Sequence, residues 1–244
     1  MRRQLLANVS HDLLTPLTTL VTHLEAVATD GEQLSAAERD GYLGIALKQA
    51  GRVIRLVEQL LEAAKLEAGY VTIHAEPFPI AELLQDVAQK FRLSASERGI
   101  ELQLRASSQL VWVEADVALI ERVLDNLLEN ALRHAPRDSA VVVSLAEQEG
   151  RARVSVADSG EGLTPDESAR VFERFYRRDK GRSSPAGHAG LGLAIVQGIL
   201  RLHGSRVGVD SSPGHGSTFF FDLPVHAAPE PASAASRETS ATST

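Results

Sequence analysis

The chain has 244 residues, 43% of them hydrophobic, with no cysteine and a formal net charge of −7. That length suits one large or two modest domains with real cores, and the missing cysteine excludes disulfides and thiolate metal sites. The acidic balance argues against a nucleic-acid binder, which carries a basic face; no apolar run approaches the roughly 20 residues of a membrane span, and Arg2-Arg3 lead into an amphipathic pattern rather than a signal peptide.

From Leu5 to about Ala68 the pattern is helical. Leu6, Val9, Leu13, Leu17, Leu20, Leu24 and Val27 recur at steps of three and four. "TDGEQLS", Thr29 to Ser35, breaks the pattern, and "SAAE" then reads as a capping box that starts a second helix. That helix carries Val53, Leu56, Val57, Leu60, Leu61 and Ala64 on one broad face, and Gly69 supplies a C-cap. Residues 1–68 are therefore expected to form an antiparallel helical hairpin. Two helices cannot enclose their own apolar seams, so a second copy is expected to complete a dimeric four-helix bundle. The alternative is that the hairpin packs on the rest of its own chain.

Residues 70–225 alternate between strand and helix patterns. "YVTIH" (70–74) reads as a strand and Ile80 to Gly99 as a helix with its stop. "IELQLRA" and "LVWVEA" follow as strands, then a long amphipathic helix from Asp116 to Ala135. "AVVVSLAEQ" and "ARVSVAD" pair around Glu149-Gly150. After a Gly-rich polar stretch, "GLGLAIVQGILRLHG" is a helix, and "RVGVDSS" and "STFFFDLPV" form a last strand pair. The expected fold is an α+β sandwich, helices on one face of a mostly antiparallel mixed sheet. Residues 226–244 lack apolar periodicity and read as a disordered tail.

Four short motifs lie in this second region. In "DNLLENALRH" (125–134), Ile120, Leu124, Leu127 and Ala131 share a core face, while Asn126, Asn130 and Arg133 form a separate polar stripe. An amide oxygen such as that of Asn130 suits Mg²⁺, a hard cation; Arg133 and His134 suit phosphate oxygens; an ordinary solvated stripe reads the same way. In "DSGEGL" (158–163), Gly160 and Gly162 permit close backbone approach. Ionised Asp158 only accepts hydrogen bonds, which suits the adenine amino group and repels guanine O6; a plain turn is the alternative. In "GHAGLGLAI" (187–195), glycines precede a helix whose free N–H groups and dipole can hold phosphate. Between these last two lie "FERFYRR" (172–178), where Arg177 can neutralise phosphate charge, and a long stretch that reads as a lid or as disorder. "GSTFFF" opens the last strand, where Thr218 meets a phosphate, orders the lid or is a plain β residue.

The order and spacing of these motifs resemble a sensor histidine kinase. "NLLENALRHA" resembles its N box, "DSGEGL" its first glycine box, "FERFYR" its F box and "GHAGLGLAI" its second. The ATP-binding half is similar to the superfamily of type II topoisomerases, Hsp90 chaperones and mismatch-repair ATPases. The resemblance spans about residues 1–225. It implies ATP and Mg²⁺ as cofactors, Asn130 as metal ligand, and Asp158 as adenine reader. It further implies Asn126, Arg133, His134 and Arg177 toward the phosphates, and Gly160, Gly162, Leu163, Gly190, Leu191, Gly192 and Leu193 around the nucleotide. His188 and Ala189 depart from the family's usual Gly and Ser or Thr, so one lid hydrogen bond is either lost or supplied by His188.

Near the start, "SHDLLTPL" is similar to the family's H box. Phosphoryl transfer to imidazole needs a neutral ring nitrogen with a free lone pair, and unperturbed histidine is mostly neutral near pH 7. A carboxylate accepting from the other ring nitrogen raises its basicity, and Asp12 beside His11 is the candidate. His11 and Thr15 share a helix face, with Val9 and Leu13 toward the seam, so His11 is expected to face solvent. Thr15 matches the residue that the family assigns to dephosphorylating the partner regulator. Pro16 lacks an N–H and crowds the Asp12 carbonyl, at a cost of roughly 3 kcal/mol in a helix interior; it is an expected bending point. Leu14 stands where the family usually has arginine, and would leave apolar surface for a docking partner.

The expected activity is ATP-dependent autophosphorylation on His11 and transfer to an aspartate of a response regulator receiver domain, with regulator phosphatase activity, in a homodimer. His11 lies ten residues from Met1. The expected setting is cytoplasmic, either as a stand-alone kinase or as the excised cytoplasmic core of an inner-membrane protein.

Overall fold

A computed structural model describes residues 2–30, 33–106, 110–177 and 190–228, except the side chains of 2–9, 11 and 30. Helix α1 spans Arg2–Asp30 and α2 spans Ala36–Ala68, packed as a hairpin. The start and stop of α2 are those expected. Ser35 accepts from the Glu38 N–H while the Glu38 carboxylate takes the Ser35 N–H at 2.9 Å. Gly69 ends the helix at φ 71°, a left-handed value that glycine adopts without strain. α1 is assigned as one helix across the buried Pro16.

The apolar face of α2 is not single. Leu56, Ala63 and Leu66 are buried, and Leu66 packs on Gly198 of the chain's second half. Ile54, Val57 and Leu61 are exposed, as is Ala64. On α1, Leu17, Val21 and Leu24 are likewise exposed, and Leu14 is 65% exposed. The hairpin thus docks on its own chain along one stripe and leaves a second stripe open.

The second half runs β1 (Glu76–Pro79), α3 (Ile80–Glu97), β2 (Ile100–Ala106), β3 (Trp112–Ala115), α4 (Val117–His134), β4 (Ser139–Gln148), β5 (Arg151–Asp158), α5 (Pro165–Arg170), α6 (Gly192–Leu202), β6 (Val207–Ser211) and β7 (Ser217–His226). The strands form one sheet in the order β1-β3-β7-β5-β4-β2. β6 and β3 meet β7 at its two ends, at Ser217–Phe221 and at Val225–His226. Among the described residues only β2 and β4 pair in parallel. β4 and β5 join through Glu149 (φ 51°) and Gly150 (φ 73°), the two positive φ values that a tight hairpin turn demands.

Alternation along β4, β5 and β7 sends Val143, Val154, Val156, Phe219 and Phe221 into the core. There they share one cluster with Ile120, Leu124, Leu127 and Ala131 of α4 and with Ile195 and Ile199 of α6. Each fully buried Leu or Ile contributes about 1.5–3 kcal/mol of apolar burial.

Two local expectations change. "YVTIH" is not a strand: the His74 N–H donates to the Asp116 carboxylate at 2.9 Å instead of to a sheet neighbour. The strand is "EPFP" just beyond it, tolerated despite two prolines because β1 is an edge that pairs only with β3. Also, the stretch before the F box holds α5, opened by a capping box of Thr164 and Glu167 with Pro165 in its first turn. The expected lid region 178–189, with His188 and Ala189, and all of the expected tail beyond Ala228 lie outside the described residues. His226 itself belongs to β7.

Candidate active site

Four elements meet around α4. Asp116 caps its start, accepting from Leu119 N–H at 3.1 Å. The Asp116 N–H donates to His203 Nε2 at 3.1 Å, while Nδ1 of that ring lies 2.9 Å from the Ile199 carbonyl. With Nε2 accepting, the ring's Nδ1 is the nitrogen placed to donate to the Ile199 carbonyl. Burial alone would raise the Asp116 carboxyl; the N–H donors of His74 and Leu119 outweigh it and hold the group below its ordinary range.

Further along α4, Asn126 is buried, and its amide nitrogen donates to the Arg122 carbonyl at 2.8 Å. That bond turns the amide oxygen toward Gly192, where an added Cβ would stand 2.9 Å from it. Asn126 thus faces the first turn of α6. Among the described residues no side chain caps that helix end, whose N-cap is the buried Leu191, followed by half-buried Leu193. Asn130 and Arg133 are half-buried, and His134 is exposed at the helix end. Burial pushes the Arg133 guanidinium down to about 10, with Glu129 opposing and Arg98 and Arg177 adding to the shift. It remains a cation at neutral pH.

Asp158 ends β5 and is buried. Its Oδ1 accepts the Gly160 N–H at 2.8 Å. Burial raises this carboxyl above its ordinary value, against the N–H donors of Gly160 and Ser217. Gly160 touches both neighbours of the site: a Cβ there would stand 2.7 Å from Asp158 Oδ1 and 2.7 Å from the His134 carbonyl. Gly162, at φ 68°, would put a Cβ 1.9 Å from the Ser212 carbonyl. The Leu163 N–H donates to Ser211 Oγ at 2.8 Å. Thr218 is half-buried beside Ala157 in the ladder, one residue from the Asp158–Ser217 pair.

The F box closes the outer side. Phe172 and Phe175 pack on the core, Phe172 edge-on to Phe219 at 6.2 Å. The Phe175 N–H donates to the Gly190 carbonyl at 2.9 Å, which joins the described ends on either side of 178–189. Phe175 holds φ 60°, uncommon for a large side chain, and Gly190 holds φ 66° where a Cβ would meet the Tyr176 carbonyl at 2.6 Å.

Arg177 leaves this assembly and reaches α1. Its guanidinium lies 3.3 and 3.5 Å from the two oxygens of Asp12. Asp12 and Leu13 are half-buried, and Thr15 is exposed. The His11 side chain, whose expected direction was toward solvent, lies outside the described residues. Two more ion pairs bridge the halves. Arg122 binds Glu62 in a bidentate fork, Nε donating to Oε1 at 3.2 Å and Nη2 to Oε2 at 2.7 Å, and Arg174 pairs with Glu67. Charges on a helix read as a solvated face, so sequence reasoning missed them. It also missed Gly216, at φ 76°, where a Cβ would sit 2.0 Å from the Asp158 carbonyl; the Gly-His-Gly spacing before Ser217 was its signal.

The model of the His Kinase A (phospho-acceptor) domain matches residues 1–69, and that of the histidine kinase-, DNA gyrase B-, and HSP90-like ATPase matches residues 115–227. The chain is similar to the sensor histidine kinase WalK of Bacillus subtilis (strain 168), 36% identical over 226 residues, 91% of this chain and 36% of that protein. Full-length ShkA in complex with AMPPNP superposes with a TM-score of 0.70 at 32% identity, over 92% of this chain and 46% of that one. The mycobacterial sensor histidine kinase MprB gives 0.53 at 30%, over 62% of this chain and 97% of that one. The chain spans 36–47% of the length of the first curated relatives it matches. With the phosphoacceptor hairpin and the ATPase fold matched in that order, the chain belongs to the sensor histidine kinase family.

Proposed function

We propose that this chain is a protein-histidine kinase core that phosphorylates its own His11 from ATP and passes the phosphoryl group to an aspartate of a response regulator receiver domain. One observation carries the reading: Arg177, at the edge of the nucleotide-binding half, reaches the carboxylate next to His11. Residues 1–68 serve as dimerisation and phosphotransfer domain, and 70–225 as catalytic domain.

Asp158 reads the adenine amino group. Arg133, His134, Arg177 and the first turn of α6 carry the phosphate charge, with Asn126 and Asn130 offering neutral oxygens. Among the described residues no group of three His, Cys, Asp or Glu can hold a metal alone. The Asn130 amide oxygen would hold Mg²⁺, a hard cation that prefers oxygen ligands. It would neutralise charge that develops on the phosphate oxygens. The His11 ring nitrogen supplies its lone pair to form the N–P bond. The Pγ–O bond breaks with its electron pair leaving on the ADP β-phosphate oxygen. Asp12 takes the proton of the other ring nitrogen. Thr15, exposed one turn on, suits the orientation of water in regulator dephosphorylation. The open apolar stripes on α1 and α2 favour a homodimer. Among the described residues no helix is long and apolar enough to cross a membrane.

Incubation with γ-labelled ATP tests the reading. Acid-labile, base-stable label that is absent from His11→Gln is the expected result. Acid-stable label, or label that survives the substitution, refutes it.

A further inference from the structure

We propose that Arg52, on α2, is a phosphoryl-binding residue: with Arg177 it forms a cationic seat beside Asp12 that holds the phosphoryl group as it enters and leaves His11. This rests on the kinase reading above and adds a residue to it from the other helix of the hairpin.

Arg52 is half-buried, and its Nε is fully enclosed without a hydrogen-bond partner among the described residues. A buried guanidinium N–H without a partner is rare enough to need an explanation. Its surroundings supply one. The Asp12 carboxylate attracts the Arg52 charge, while Arg177 and Arg55 repel it, so Arg52 lies within electrostatic reach of all three beside the H box. Burial is the largest influence, and it pushes the guanidinium down from its ordinary value.

The charge count is uneven. Among the described residues that act on Arg52, two further guanidinium groups, Arg177 and Arg55, stand against one carboxylate, and that carboxylate binds Arg177 at 3.3 Å. Surplus positive charge in a half-buried place is costly until an anion joins it. A phosphoryl group carries nearly two negative charges near pH 7 and three acceptor oxygens. The Arg fork suits such oxygens, presenting several donors in one plane, where lysine presents a point charge. Asp12 stands one residue from His11, so this excess lies at the point of transfer. Arg177 comes from the catalytic half and departs when that half moves away. Arg52 belongs to the hairpin and stays through both halves of the phosphoryl group's passage.

Arg52→Gln and Arg52→Lys in the whole chain test this. ATP affinity should stay within twofold of the unsubstituted chain, because Arg52 is not in the nucleotide pocket. Initial labelling of His11 should fall 10- to 100-fold in Arg52→Gln and recover partly in Arg52→Lys. The decisive readout is ³¹P NMR of His11 phosphorylated chemically with phosphoramidate, its resonance assigned by its absence in His11→Gln. The second ionisation of the phosphoryl group should move to higher pH in Arg52→Gln, because a cation facing it is gone. An unmoved titration overturns the seat, whether labelling is normal or slowed through altered folding. A changed dimer affinity with an unmoved titration would show instead that Arg52 meets a second copy. If ATP gives no acid-labile label in the unsubstituted chain, the kinase reading fails. The chemically phosphorylated protein then still decides whether Arg52 binds the group.

Discussion

Asp158 shows what a single buried carboxylate costs and supplies. Burial lifts its pKa in the folded chain above the 3.8 of the free side chain. The folded state therefore holds that proton more tightly than the unfolded one. The associated stability is present below the unfolded value and is lost as pH rises through the folded value. At pH 7 the ionised group is a net burden on stability, retained for what it can bind. Asp158→Asn should leave Tm at pH 7 unchanged or higher, yet weaken ATP binding about 10- to 100-fold, the worth of a hydrogen bond to a charged group. Melting curves with and without nucleotide separate the two effects, and GTP should shift the unsubstituted chain far less than ATP. The residue type and its glycines were legible in "DSGEGL". Its burial was not, because that comes from β7 and from Gly216 just before it, which lets the backbone close over Asp158. Arg52 was illegible for a related reason: an arginine on an amphipathic helix reads as solvated until the partner helix is in place.

At the scale of elements, signals that act within four residues were read correctly. The Ser35–Glu38 box, the Gly69 stop and the Glu149-Gly150 turn are local chemistry, and each appears where expected. The misreading of "YVTIH" arose because its last residue gives its N–H to an aspartate 42 positions away. α5 was overlooked although Thr164-Pro165-Asp166-Glu167 is itself a local helix start; its six residues were read as part of a long loop. The junction of α4 and α6 depends on Gly192. Alanine there favours the helix by up to about 1 kcal/mol where the site is helix interior, but its Cβ would crowd the Asn126 oxygen at 2.9 Å. Gly192→Ala should therefore keep thermal stability within a few degrees and lower ATP affinity at least tenfold, measured by calorimetry. A parallel loss of both would mean that the glycine serves packing alone.

Over the whole molecule, the hairpin has two apolar duties. One stripe of α2 docks on α6 through Leu66, braced by the Glu62–Arg122 and Glu67–Arg174 pairs. Such part-exposed pairs are worth about 1 kcal/mol or less each and weaken with salt. The other stripe faces outward, and an exposed apolar patch of this kind marks an interface. Ile54→Glu, far from the nucleotide residues in sequence, should raise the dimer dissociation constant at least tenfold in sedimentation equilibrium while ATP binding persists. A dimer unchanged by that substitution would place the subunit contact elsewhere. The two halves are joined by little chain. Between the Gly69 cap and the His74 clasp on Asp116 lie Tyr70 to Ile73, a tether on the order of 14 Å when fully drawn out. On so short a leash the catalytic half can pivot but not wander. Each half meets the other at an effective concentration near the millimolar range, whatever the dilution of the protein. The rate of any encounter between them is then set by rotation about four residues, not by diffusion.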